Sequence, residues 1–219
     1  MIIRSVDFAG AVARPGGPPP GRLPQVAFSG RSNVGKSSLI NRLLGRTRAR
    51  VARVSATPGK TREINFFEVR ATGRNGRELH FYLVDLPGYG YARVPLALRG
   101  RWKPLIESYL TRTRELSGVV QLIDVRHGPT AEDLQMVEFL AATSIPTLFV
   151  LTKVDKLRRN ERRPRIASVI DRLGVDPEQV IAFSSETGEG RDELLASLEA
   201  LLGEGDGRAG ADPAAVGGA

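Results

Sequence analysis

One stretch of eight residues, GRSNVGKS at positions 30–37, limits what this chain can fold into more than any other feature of its sequence. It fits G-x-x-x-x-G-K-S, directly follows the apolar run QVAFSG (25–30) and opens the helical pattern SSLINRLLG. Strand, glycine-rich turn and helix in that order are what a phosphate-binding loop requires. Gly30 and Gly35 allow the backbone to curl so that successive amides face phosphate oxygens. Arg31, Ser32, Asn33 and Val34, with Ser38 in the first helical turn, complete the cradle, and the helix N-terminus adds its positive end. Lys36 has the length to reach terminal phosphates, and Ser37 offers a hydroxyl to Mg²⁺. A turn that merely joined a strand to a helix would need neither the lysine nor the serine.

The rest of the chain supplies a frame for such a loop. Further apolar runs read as strands at 64–71, 78–85, 118–124, 146–152 and 179–184. Helical patterns begin at Ser37, Leu98, Ala131, Arg162 and Arg191, with Gly174 and Gly203 at C-cap positions and Pro164 in a first turn. This alternation predicts an α/β three-layer P-loop fold on a mostly parallel six-stranded sheet. The link TGRNGR between the second and third strands is too short for a crossover helix, so those two form a hairpin with one antiparallel edge strand. The run RPGGPPPGRLP (14–24) places an extended arm at 1–23, the domain at 24–203, and a small, polar, disordered tail at 204–219.

Three more segments belong with the loop. Asp85 closes the strand ELHFYLVD, where its carboxylate can hold the water shell of Mg²⁺; Leu86 and Pro87 follow, and the amide of Gly88 can sense a third phosphate. TKVD (Thr152, Lys153, Val154, Asp155) follows the fifth strand. The two oxygens of Asp155 can accept from guanine N1–H and the 2-amino group. Adenine would leave that carboxylate unpaired, a mismatch that can discriminate by ~10⁴-fold. The stem of Lys153 can cover one face of the base. After the sixth strand, Phe183, Ser184 and Ser185 can offer amides and hydroxyls to the guanine carbonyl, or simply begin a helix. The segment 46–63 lacks any periodicity, which marks a functional loop. Within it Thr61, flanked by Gly59, Lys60, Arg62 and Glu63, is placed to complete a Mg²⁺ shell when a γ-phosphate is present.

Composition narrows the setting. There is no cysteine, which excludes disulfides and thiolate metal sites. No secretory signal and no apolar segment of membrane-spanning length is visible, so a cytoplasmic, monomeric protein away from membranes is expected. Net charge is +8, with basic runs at 42–62 and 156–165. These point to a polyanionic partner, against the plainer reading of a solvated arginine-rich surface.

GRSNVGKSSLIN, TPGKTREINFF, DLPGYGYA, TKVDK and FSS, in this order and spacing, resemble the G motifs of a translation-factor-class GTPase, and more narrowly those of the EngB family of bacterial ribosome-assembly GTPases. RGRWKPLIESYL and IDVRHGPT resemble that family as well, so the likeness spans residues 22–200. It implies a Ras-like fold with the 64–71 strand at one edge, followed in space by 78–85, 25–30, 118–124, 146–152 and 179–184. It also implies Mg²⁺-dependent binding of GTP and GDP, and a role in large ribosomal subunit assembly on precursor rRNA and ribosomal proteins, tied to cell division and septation. TKVD carries threonine where N-K-x-D is commoner, and ETGEG lacks the lysine often found in the family's last motif.

Tyr89 stands where Ras-type enzymes carry the glutamine that orients the attacking water. The resemblance therefore implies slow intrinsic hydrolysis. It leaves Lys36, Asn33 and Thr61 as the catalytic candidates, with K⁺ at Asn33 or a ribosomal surface as activator. Tyr89 itself is expected to pack its ring beneath the long loop. Arg126 and His127 read as loop residues beyond the fourth strand, and Trp102 as core. Two rivals stay open: an ATP-using P-loop kinase, and a nucleic-acid-binding module whose nucleotide site is structural.

Overall fold

In a computed structural model, residues 1–45, 63–90 and 96–205 are described, the side chains of 96–102 and 204–205 excepted. Strand β2 (Gln25–Gly30) is buried at every position, as befits an apolar run covered on both faces. Parallel neighbours flank it: β4 (Glu78–Asp85) on one side and β5 (Leu116–Asp124) on the other. Beyond β5 lie β6 (Thr147–Thr152) and β7 (Val180–Phe183), also parallel. On the other side β3 (Ile64–Thr72) forms the expected antiparallel hairpin with β4.

Among the described residues the sheet has seven strands rather than six. The start of the N-terminal segment is β1 (Ile2–Val12), which pairs antiparallel with β3 and takes the edge position expected for β3. Cross-strand packing holds it: Phe8 meets the edge of Phe67 at 5.9 Å, and Val6 lies opposite Val69. Its signal in the sequence is weak. Register shifts between Ile3 and Ser5 and between Phe8 and Gly10 break the alternation, and Ile2 and Phe8 remain exposed. Without β1, the strand order is the one the resemblance implies.

Helices α1 (Lys36–Leu43) and α5 (Arg191–Gly205) pack on one face of the sheet. The helices α2 (Leu96–Arg112), α3 (Ala131–Thr143) and α4 (Arg159–Leu173) cover the other. Gly118 of β5 permits the close approach of α5, since a Cβ there would stand 3.0 Å from Leu201. Arg191 finishes α1: its guanidinium donates to the Arg42 carbonyl (3.1 Å), which also accepts from the Gly45 amide (3.2 Å), and to the Leu43 carbonyl (2.9 Å), at that helix end. Helix α3 opens with a capping box between Thr130 and Asp133. Gly174, at φ 64°, caps α4 as expected. That helix starts at Arg159, so Pro164 lies inside it rather than in its first turn, at an exposed position where one missing amide is tolerated. Gly203 likewise falls within α5 and not beyond its end.

Candidate functional site: a phosphate loop and a carboxylate pocket

The loop 30–37 leaves the end of β2 beside the ends of β4 and β5, at the carboxyl edge of the parallel strands, where α/β sheets bind ligands. Asn33 (φ 65°) and Gly35 (φ 105°) adopt left-handed backbone, which turns the chain into α1. Lys36, the first residue of that helix, is buried and forms an ion pair with Asp85 at the end of β4. Asp85 lies opposite Phe28 in the ladder, so two motifs 49 residues apart meet at one point. Ser37 and Ser38 are half-buried on the same first turn.

The segment after Asp85 is pinned to the loop. Leu86 and Pro87 are buried. The Ser32 amide donates to the Tyr89 carbonyl (2.8 Å), and the Ser32 hydroxyl to the Gly88 carbonyl (3.3 Å). A Cβ on Gly88 would stand 3.1–3.2 Å from Ser32, so the approach depends on glycine. The expected packing of the Tyr89 ring beneath the long loop falls outside the described residues, but its hydroxyl is placed. Its hydroxyl donates to Asp133 of α3 (2.8 Å) and accepts from Gln121 of β5 (2.6 Å). Burial, reinforced by the Asp133 carboxylate, pushes that phenol well above its ordinary pKa, so it acts here as a neutral hydrogen-bonding anchor.

The TKVD segment is bonded to the same loop. The Thr152 hydroxyl lies 2.7 Å from the Val34 carbonyl and 3.2 Å from that of Ile123. Lys153, itself at φ 64°, lays its stem over Gly35 and donates to the Asn33 carbonyl (2.6 Å) and to Asp124 (2.8 Å). Val154 is buried. Asp155 accepts from the Ser184 hydroxyl at 2.7 Å and pairs with Lys156 at 3.2 Å. Burial pulls its pKa up, but the bonds from Ser184 and Lys156 outweigh that and hold the carboxyl below its ordinary value. The Ser184 oxygen in turn accepts from the amides of Glu186 (3.2 Å) and Thr187 (3.1 Å). Phe183 is buried behind it, and Ser185 is half-buried beside it.

Asp124 belongs to the same constellation, though the phosphate and base motifs do not single it out. It ends β5 as Asp85 ends β4, and that shared position, an acid closing an apolar run, is its one signal in the sequence. Only 3% exposed, it takes a two-pronged bond from Arg126 (3.0 and 2.7 Å) besides the one from Lys153. Burial opposes its charge, but those cations win and bring its pKa from 3.8 down to about 2. His127 is exposed, and its backbone amide bonds the Asp124 carbonyl. Glu63 is exposed just before β3; Gly59, Lys60, Thr61 and Arg62, and the side chain of Trp102, lie outside the described residues.

Together these bonds build a glycine-rich cradle with a lysine and an acid beneath it, joined directly to a carboxylate aimed by a serine. The donor set suits a magnesium nucleotide. One serine hydroxyl and one strand-end carboxylate are too few to enclose Mg²⁺, an ion that normally keeps waters and shares substrate phosphate oxygens.

Comparison with known proteins gives the same picture. A family model described as a 50S ribosome-binding GTPase matches residues 25–153. The "Probable GTP-binding protein EngB" of Gemmatimonas aurantiaca is 49% identical over 95% of this chain and 98% of its own. That of Geobacter sp. (strain M21) is 46% identical over 92% and 90%. The crystal structure of a probable GTP-binding protein engB superposes with a TM-score of 0.62 at 25% identity, over 82% of this chain and 99% of that one. Era in complex with MgGDPNP and part of 16S ribosomal RNA shares the fold, with a TM-score of 0.62 at 23% identity, over 81% and 56%. With its loop, its two strand-end acids and these likenesses over nearly its whole length, the chain belongs to the EngB family of GTP-binding proteins, P-loop GTPases.

Proposed function

We propose that this chain is a guanine-nucleotide switch that acts in assembly of the large ribosomal subunit and so supports normal cell division. The observation that carries the reading is the direct bonding of the phosphate loop to the base-reading segment through Thr152 and Lys153. Phosphates at 30–38 and a base at Asp155 are then recognised by one rigid unit. Lys36 and the loop amides stabilise charge on the β- and γ-phosphates. Ser37 and Asp85 hold Mg²⁺, Thr61 joins them in the triphosphate state, and the ion's contribution when bound is to neutralise charge on the phosphate oxygens. Asp155, kept ionised by Ser184 and Lys156, accepts from the guanine edge. The Tyr89 hydroxyl is committed to Asp133 and Gln121, which leaves no amide or free hydroxyl at that position to orient water. Intrinsic hydrolysis is therefore slow, with K⁺ at Asn33 or the ribosomal particle as activator. The family's description as 50S ribosome-binding supports the choice of partner.

Two measurements test this. In calorimetry the chain should prefer GTP to ATP, and Asp155→Asn should shift preference from GTP toward xanthosine triphosphate by at least ~10²-fold, since the new amide donates where guanine also donates. Unchanged preference would remove Asp155 from the base pocket. In co-sedimentation, large-subunit precursor particles should retain the protein with a non-hydrolysable GTP analogue and release it with GDP. Equal retention in both states would mean that the nucleotide is structural and the switch reading is wrong.

A further inference from the structure

Helix α4 carries arginines at 165 and 172, and Arg158 immediately precedes it. Spacing of seven puts Arg165 and Arg172 on one side of the helix, and Arg158, its N-cap, lies a further seven residues back, a row of about 21 Å at 1.5 Å per residue. The bonding of its members sets it apart from an ordinary solvated charge run. Arg165 donates to the carbonyls of Val125 and Arg126, both at 2.8 Å, and Arg172 donates to that of Pro129 at 2.9 Å. Both guanidiniums are thus held against the loop that follows β5 by neutral acceptors, which fix their position, and neither forms an ion pair among the described residues. Arg158 is exposed, and its side chain makes no hydrogen bond or ion pair among the described residues. On the same loop Arg126 pairs with Asp124, a carboxylate it shares with Lys153 of the segment after β6, so two cations meet one acid there. The acids of α4, Glu161 and Asp171, form no ion pair with the stripe among the described residues.

We propose that Arg158, Arg165 and Arg172, with Arg126 at their flank, form the surface that seats the phosphate backbone of ribosomal RNA. This inference rests on the ribosomal reading above and names the face of the molecule that carries it. The guanidiniums of Arg165 and Arg172, held in place by bonds to backbone carbonyls, lose little freedom on meeting a phosphate, and each keeps further N–H groups for a bidentate bond. No large apolar side chain lies in the stripe, which disfavours a lipid surface, and the row is long enough to follow several phosphates of one strand. The recognition is of backbone rather than base, and should be steeply salt-dependent.

The experiment uses the full chain with a non-hydrolysable GTP analogue and measures binding to large-subunit precursor particles and to protein-free ribosomal RNA across a salt series. Arg158→Glu, which disturbs no internal bond of the side chain, and the pair Arg158→Glu with Arg172→Glu should weaken both by about tenfold or more. The slope of log affinity against log salt should fall by about one for each phosphate no longer engaged. Arg165→Lys, which keeps the charge, should bind within about threefold of wild type, whereas Arg165→Gln should match the charge-reversed forms. GTP affinity should be unchanged throughout. Full particle binding by the single and double variants at every salt would overturn the stripe while leaving the ribosomal reading intact. A wild-type chain that binds no particle in either nucleotide state would overturn that reading itself. Dependence on the arginines seen with isolated ribosomal proteins but not with RNA would assign the surface to an acidic protein partner and overturn the proposal.

Discussion

Thr152 reaches from the TKVD segment to the phosphate loop with one hydroxyl. It bonds the loop carbonyl of Val34 directly, and so the threonine in TKVD keeps the bridge between base and phosphate segments. Asp124 supports the same junction through Lys153, and its charge carries a pH signature. Folding lowers its pKa from 3.8 to about 2, so the folded state binds that proton less readily than the unfolded chain. The stabilisation is complete above about pH 4, amounts to the order of 2 kcal/mol, and is lost as pH falls through 2. Urea midpoints measured from pH 7 to pH 2 should therefore show Asp124→Asn less stable than wild type at neutrality, with the gap closing as the solution is acidified. A gap that stays constant over that range would show that Asp124 is not held as an anion.

Among the elements, α1 depends most on a distant neighbour. It is eight residues long, begins at the phosphate loop, and has no side-chain cap at its N-terminus. Its C-terminal carbonyls are met by Arg191, so removing that guanidinium takes a donor from Arg42, which keeps the Gly45 amide, and strands the Leu43 carbonyl at the end of a short helix. Arg191→Met, which keeps most of the apolar stem, should cost about 1–3 kcal/mol and raise amide exchange through residues 36–43 more than in β2; unchanged protection of α1 would show that the cap is dispensable. The elements also show what could be read in advance. Strands β2 to β7 are legible as short runs rich in apolar and β-branched residues, and α3 to α5 as helical patterns. Strand β1 is not, because two register shifts scatter its faces and its pairing with β3 is a long-range choice. The loop, Asp85, TKVD and FSS were legible because phosphate and base chemistry confine residue type and spacing. The roles of Asp124, Gln121, Asp133 and Arg191 were not, since each arises from tertiary approach between segments 29 to 149 residues apart.

At the scale of the molecule, the sheet divides the labour. The nucleotide loop and its acids gather at the carboxyl ends of the central strands, while the arginine stripe lies on the α4 side, next to the loop that leaves Asp124. On the opposite face α5 closes the core over β2 and β5 and sends Arg191 to α1. A helix that emerges late during synthesis thus completes one made early. A nascent polypeptide stalled before residue 191 would carry every motif named above and still lack a settled cradle, and should fail to retain GTP on a filter until the remaining helix is supplied. Nucleotide capture would then report that translation of the domain is finished, and half-made copies would leave the cellular GTP pool untouched.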